Sequence, residues 1–289
     1  MSTLILFNVT NGLIIGAFYV LMALGLSLIL NLSGVINFAH GGFLTLGGYI
    51  AYTLSFRIGF WGGLIVAPFI VALLGILIES TMIRRLYGRD PLYSLLLTFG
   101  LAFILEDGSR WYWGPQGLPV SIPPFLSAPL SRSFFFITGY RLFMVAVAAG
   151  VIIALFFFLR HTKLGLRIRA GTLDLDTVSS LGVNVRFLRS FNFGLGIFLA
   201  GLSGVLAGGQ LGLIPTMGST LLMPSFIAII VGGVGSLPGT LVGGLLIGVA
   251  AGLTTVFWPS ASEAVMYVLM GIVLLVRPRG LFGEEGMMS

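Results

Sequence analysis

The residues of this chain that could do chemistry are few, and each lacks the neighbour its chemistry needs. Ser203 stands in Gly201-Leu202-Ser203-Gly204, the setting of a serine nucleophile inside a membrane helix, yet no histidine follows it to take the hydroxyl proton. The two histidines, His40 and His161, lie on different segments, and without an HExxH helix or any cysteine they make no zinc site. The one lysine, Lys163, follows a threonine rather than a glycine, so no phosphate loop ending in Gly-Lys-Ser/Thr is present. That excludes ATP hydrolysis by this chain alone. Asp174 and Asp176, two apart, face different directions on a helix and suit its N-terminal end better than acid–base work. Glu79 is the carboxylate set well inside an apolar segment, and with Arg84 and Arg85 within two turns it pairs locally instead of relaying protons. No catalytic residue, cofactor or metal is expected.

The elements that hold these residues are membrane helices. Of the residues 57% are hydrophobic and 8% charged, and the mean hydropathy is +1.09. At about 20 apolar residues per crossing, the 289 residues give an all-α, polytopic bundle of roughly eight to ten segments in a single domain, 1–289. Apolar runs predict crossings at 4–32, 41–56, 62–85, 92–105, 140–159, 190–213, 221–234, 240–258 and 263–276. The first run lacks a signal peptide's basic start and cleavage site, so it is expected to stay as a helix. The net charge of +6 does not indicate nucleic acid, because the cations sit at the ends of apolar runs. Eleven of the 15 Lys and Arg residues fall on one side: Arg84, Arg85, Arg89, the 160–189 group, Arg277 and Arg279. Arg57, Arg110, Arg132 and Arg141 fall on the other. The positive-inside rule then predicts a cytoplasmic C-terminus and an N-terminus outside.

The longest polar stretch, 160–189, carries Arg160, His161, Lys163, Arg167, Arg169, Arg186 and Arg189 around an amphipathic centre at 172–182. Thr172 is expected to cap a short helix there, with Asp174 and Asp176 in its first turn. Leu175, Val178 and Leu181 recur every three residues along one face, and Gly182 suits the stop. A rod of about 15 Å is too short to stand alone in water. It needs a docking surface.

On the outer side, 106–139 is expected to be an interfacial loop, with Trp111, Tyr112 and Trp113 at headgroup level and prolines between Pro115 and Pro129 stiffening it. Gly204, Gly208 and Gly212, and again Gly244, Gly248 and Gly252, recur four apart and predict close helix packing. The glycine-rich run after the seventh segment, Gly232-Gly233-Val234-Gly235-Ser236-Leu237-Pro238-Gly239, reads as a tight turn.

Several blocks together resemble the permease subunits of branched-chain amino acid ABC importers of the LivH type. They include Gly12-Leu13-Ile14-Ile15-Gly16-Ala17-Phe18-Tyr19, Gly34-Val35-Ile36-Asn37-Phe38-Ala39-His40-Gly41 and Gly47-Gly48-Tyr49. Further along are Leu181-Gly182-Val183-Asn184, Gly204-Val205-Leu206-Ala207-Gly208 with Gln210, and Gly235-Ser236-Leu237-Pro238-Gly239. The resemblance implies ABC importer permease architecture in the bacterial inner membrane. It also implies a second related permease, two cytoplasmic ATPases and a periplasmic substrate-binding protein as partners. By the same resemblance 169–184 is a coupling helix against an ATPase, including Arg169, Asp174, Leu175, Val178, Leu181, Gly182 and Asn184. Residues 34–41 become a non-helical or bent connection, and Asn37, His40 and Gln210 become polar groups of the pathway or of inter-helix hydrogen bonds. Leucine, isoleucine and valine are the leading substrates, with aromatic acids, amides and urea as alternatives. Gly42 stands where urea-type members carry an acidic residue, which points away from a polar amide. The competing class is an ATP-independent carrier.

Overall fold

The computed structural model describes residues 1–128 and 138–283. In chain order its helices are α1 (Ser2–Ser33), α2 (Ala39–Thr81), α3 (Pro91–Trp113), α4 (Pro124–Ser127), α5 (Gly139–His161), α6 (Lys163–Leu173), α7 (Leu175–Ser180), α8 (Val185–Leu211), α9 (Met217–Gly232), α10 (Leu237–Phe257) and α11 (Ala264–Val276). Among the described residues six helices, α1, α2, α3, α5, α8 and α10, are long and apolar enough to cross a membrane, and α9 and α11 are shorter apolar helices. The chain is a multi-pass helical membrane protein.

At 43 residues α2 would run about 65 Å if straight, twice the hydrocarbon thickness. It is not straight, because Gly59 sits at φ 73°, ψ 173° and divides it. A Cβ built on Gly63 would lie 2.7 Å from the Ala51 carbonyl oxygen. Residues twelve apart in one continuous helix would be about 18 Å apart, so the limbs 39–58 and 60–81 fold back on each other. With α2 taken as two limbs, helices occupy each of the nine apolar intervals read from hydropathy.

The chain forms two compact units. The second, 25–120 with 150–220, is built around α8. A Cβ on Gly47 would lie 2.6 Å from the Cα of Gly201, and one on Gly204 would collide with the Leu44 carbonyl. Further along α8, Ile197 packs over Gly75 and Phe198 meets Phe69 with ring centroids 4.9 Å apart. Backbone-to-backbone contact of this kind substitutes for the hydrophobic drive that lipid removes. Gly208 packs on the Leu213 side chain, whereas Gly212, at φ 77°, is the cap that ends α8 and not part of a packing stripe.

In the first unit, 1–24 with 121–149 and 221–289, the expected glycine face of α10 does pack. Gly244, Gly248 and Gly252 meet Val20, Gly16, Gly12 and Asn8 of α1. The run after α9 is a turn: Gly233 and Gly235 have positive φ, and Ser236 Oγ accepts from Gly239 N at 3.1 Å to cap α10. The C-terminal segment returns to this turn, with Leu281 N donating to Val231 O and Phe282 N to Gly232 O, both at 2.9 Å.

The loop expected at 106–139 begins later, since α3 continues to Trp113 and carries Glu106, Asp107 and Arg110 as ion-paired helical residues. Trp111 and Tyr112 are exposed, while Trp113 stacks on Tyr49 and donates from Nε1 to Thr53 Oγ1 at 2.9 Å. Arg132 and Pro129 lie outside the described residues.

Candidate functional site

The polar stretch after α5 is built from separately capped pieces, all in the second unit. Thr162, the residue between α5 and α6, donates from Oγ1 to Phe158 O at 2.7 Å and accepts from Gly165 N at 3.0 Å. This starts a helix, α6, where sequence reasoning placed a basic loop. The signal was present: Thr162 as a cap followed by Leu164, Gly165, Ile168 and Gly171 on one helical side. Gly165 and Ile168 are buried, and Gly171 closes on Leu32 of α1, Leu175 and Leu188 of α8.

Asp174, not Thr172, caps α7. Its Oδ1 accepts from Thr177 N at 2.9 Å and its Oδ2 from Thr177 Oγ1 at 2.5 Å. Thr172 instead donates to Arg169 O at 2.7 Å inside α6. The two hydrogen bonds from Thr177 hold the Asp174 carboxyl below the usual carboxylate range. Asp176 lies in the first turn, and Gly182, at φ 81°, follows the end of α7. Asn184 then opens α8 by accepting from Phe187 N at 3.1 Å. The expected apolar face of α7 divides: Val178 is 5% exposed and packed within the chain, Leu175 is half-buried and Leu181 is 78% exposed. Leu173 is equally open at 75%. Arg169 is exposed on α6.

Beside the start of α8 lies a buried carboxylate. Glu79, 0% exposed, accepts from Arg84 Nη2 at 3.0 Å, from Tyr87 OH at 3.1 Å and from Ser190 Oγ at 2.6 Å. The Arg84 pairing follows from local spacing, but Ser190 and Tyr87 were not anticipated. Arg189 lies over the Tyr87 ring, 4.2 Å from its centroid. The cluster joins the end of α2, the turn Ile83–Leu86 and the first turns of α8.

A second polar centre occupies the connection from α1 to α2. The non-helical part is 34–38, shorter than expected, and His40 and Gly41 already belong to α2. Thr98 of α3 holds it by donating to Ile36 O at 3.0 Å and accepting from Phe38 N at 3.2 Å. A lone threonine in an apolar run was the available signal. Asn37 and His40 are both fully buried here, and the His40 ring lies near Gly25, beside Leu199 of α8. Gln210, eleven residues beyond Leu199, is about 16 Å further along α8. The structure therefore brings Asn37 and His40 together and leaves Gln210 apart.

Past Gln210 the chain re-enters. Leu213 pairs with Leu118 through reciprocal backbone bonds of 2.9 and 3.0 Å, and its carbonyl also accepts from Tyr49 OH at 3.4 Å. Gly218 N then donates to Thr45 Oγ1 at 2.9 Å, so α9 starts beside the second turn of α2. That inward start accounts for a helix of 16 residues, about 24 Å.

Residues 8–276, which hold all of these features, match the family model described as branched-chain amino acid transport system / permease component. The chain belongs to that family. This permease is 30% identical to the high-affinity branched-chain amino acid transport system permease protein BraD of Pseudomonas aeruginosa, over 96% of this chain and 95% of that protein. It is 29% identical to permease protein LivH of the corresponding Escherichia coli system, over 95% and 94%. Permease protein LivM of the same system and organism is 28% identical, over 91% of this permease and 67% of LivM.

Proposed function

We propose that this chain is one of two related permease subunits of an ATP-driven importer that brings leucine, isoleucine and valine into the cytoplasm. The observation that carries the proposal is the similarity over nearly the whole chain to LivH and BraD, whose names specify branched-chain amino acids. Weaker similarity to LivM of the same system supports a pair of homologous permeases. The chain works as one membrane domain of the bacterial inner membrane, non-catalytic itself, with two cytoplasmic ATPases and a periplasmic substrate-binding protein as partners. Its C-terminus and the α6–α7 segment face the cytoplasm.

In this reading α7 and its flanks form the contact with an ATPase. Arg169, Asp174, Leu175, Gly182 and Asn184 shape and orient it, Val178 anchors it to the permease, and exposed Leu181 meets the partner. Asn37 and His40 belong to the permease interior, and Gln210 lies toward the opposite end of α8. The test is purification of the tagged chain from its native membrane, with identification of what accompanies it and what ligand the binding protein holds. A second permease, two ATPases and a binding protein loaded with leucine, isoleucine or valine are expected. A different ligand would replace the substrate, and uptake by the chain alone in liposomes without ATP would overturn the importer reading. Leu181→Asp is expected to reduce ATPase recovery at least tenfold with the permease still folded, read by quantitative co-purification.

A further inference from the structure

α5 spans 23 residues, about 34 Å, slightly more than the hydrocarbon thickness, so Arg160 and His161 in its last turn stand at headgroup level. α6 does not leave that level. A Cβ on Gly165 would lie 2.5 Å from the Cα of Leu159, which fixes the first turn of α6 against the last apolar turn of α5. At its other end Gly171 packs on Leu32 and Leu188, within a turn of where α1 ends and α8 begins. Both ends of α6 are thereby tied to helix ends, and it lies along the membrane face.

Its outward side has a mixed character. Lys163 and Arg167 are exposed and four apart, and Leu166, three from Lys163, is 59% exposed between them. Arg160, three residues before Lys163, is exposed in the last turn of α5, one helical turn from Phe157, which is 62% exposed. Among the described residues no carboxylate pairs with Arg160, Lys163 or Arg167. None of the three is among the residues assigned to the proposed ATPase contact, 169–184.

We propose that Arg160, Lys163 and Arg167 bind the phosphate headgroup of an anionic phospholipid, with Leu166 and Phe157 against its acyl chains. Cations at this depth beside an apolar side chain match that ligand in both charge and layering. A peripheral protein would account for the charges but not for Phe157, 62% exposed a turn back along α5. The test is mass spectrometry of the detergent-solubilised full-length chain titrated with phosphatidylglycerol or phosphatidylcholine. Wild type is expected to retain phosphatidylglycerol selectively. Lys163→Gln/Arg167→Gln is expected to weaken that retention about tenfold, while Lys163→Arg/Arg167→Lys and an equal-charge control, Arg85→Gln/Arg89→Gln, retain it. Equal loss in the control would reduce the effect to net charge and overturn the site, as would equal retention of phosphatidylcholine or full competition by inorganic phosphate. Loss of a co-purifying ATPase with phosphatidylglycerol retention unchanged would give the surface to a protein partner instead.

Discussion

α8 and the α6–α7 segment adjoin each other in sequence and are held in opposite ways. At the centre of α8 the closest contacts are between backbones, Gly201 against Gly47 and Gly204 against the Leu44 carbonyl, with side chains such as Ile197 and Phe198 packed beside them. From 162 to 184 each piece carries its own cap, Thr162, Asp174 and Asn184, and beyond the Gly165 contact that pins the first turn of α6 to α5 the pieces touch through side chains such as Leu175 and Leu188 on Gly171. Packed backbones resist any local change, whereas capped pieces can tilt without losing their internal hydrogen bonds. Under the proposed ATPase contact, the second construction suits the element that would transmit the motion and the first suits the frame it would act on.

Substitutions at the welded contacts should do the most damage. Gly204→Leu drives a side chain into the Leu44 carbonyl and is expected to cost more than about 3 kcal/mol, with loss of a monodisperse peak in size-exclusion chromatography. Gly150→Leu, where a Cβ meets nothing within 4 Å, should leave the same peak intact. Equal effects would mean that close approach is not what holds α8.

The Glu79 cluster comes next and predicts an asymmetry. Arg84→Ala leaves a carboxylate that is 0% exposed with its cation gone, at a cost of about 3 kcal/mol. Glu79→Gln keeps a hydrogen-bonding group and leaves an arginine that is 33% exposed and can reach water, at about 1 kcal/mol. Thermal unfolding in detergent should rank them in that order, and the reverse order would contradict the burial assigned to Glu79.

The smallest effects belong to α7. Asp174→Ala should speed amide exchange several-fold at 175–180 and leave α8 unchanged. Because folding lowers the Asp174 pKa, its contribution is complete above the unfolded value near 4 and disappears as pH falls through the folded one. Hydrogen exchange on acidification should therefore open α7 before α8, and simultaneous opening would remove the distinction between the two constructions.

Much of this organisation was legible in the sequence, because membrane helices announce themselves by local hydropathy. The nine apolar intervals, the glycine face at 244–252, the turn at 232–239 and the local Glu79–Arg84 pair all follow from residues near one another in the chain. What escaped was set by distant partners. Ser190 reaches Glu79 across 111 positions, and Thr98 reaches the 36–38 backbone across about 60. The inward turn of Val178 depends on where α6 and α8 are, which its three-residue periodicity does not encode. The substitution of Asp174 for Thr172 as the cap had a local cause: α6 continues through Thr172 and claims it.

The re-entry at 212–218 bears on how the chain is made. Its peptide groups would stand bare in hydrocarbon unless protein acceptors and donors met them, and the groups that do so are Thr45, Tyr49 and Leu118. All three precede the segment in the chain, so the ribosome delivers the receptacle before the piece that needs it. A circular permutant that moves 1–120 behind 220 would reverse that order, and its insertion should stall at the segment.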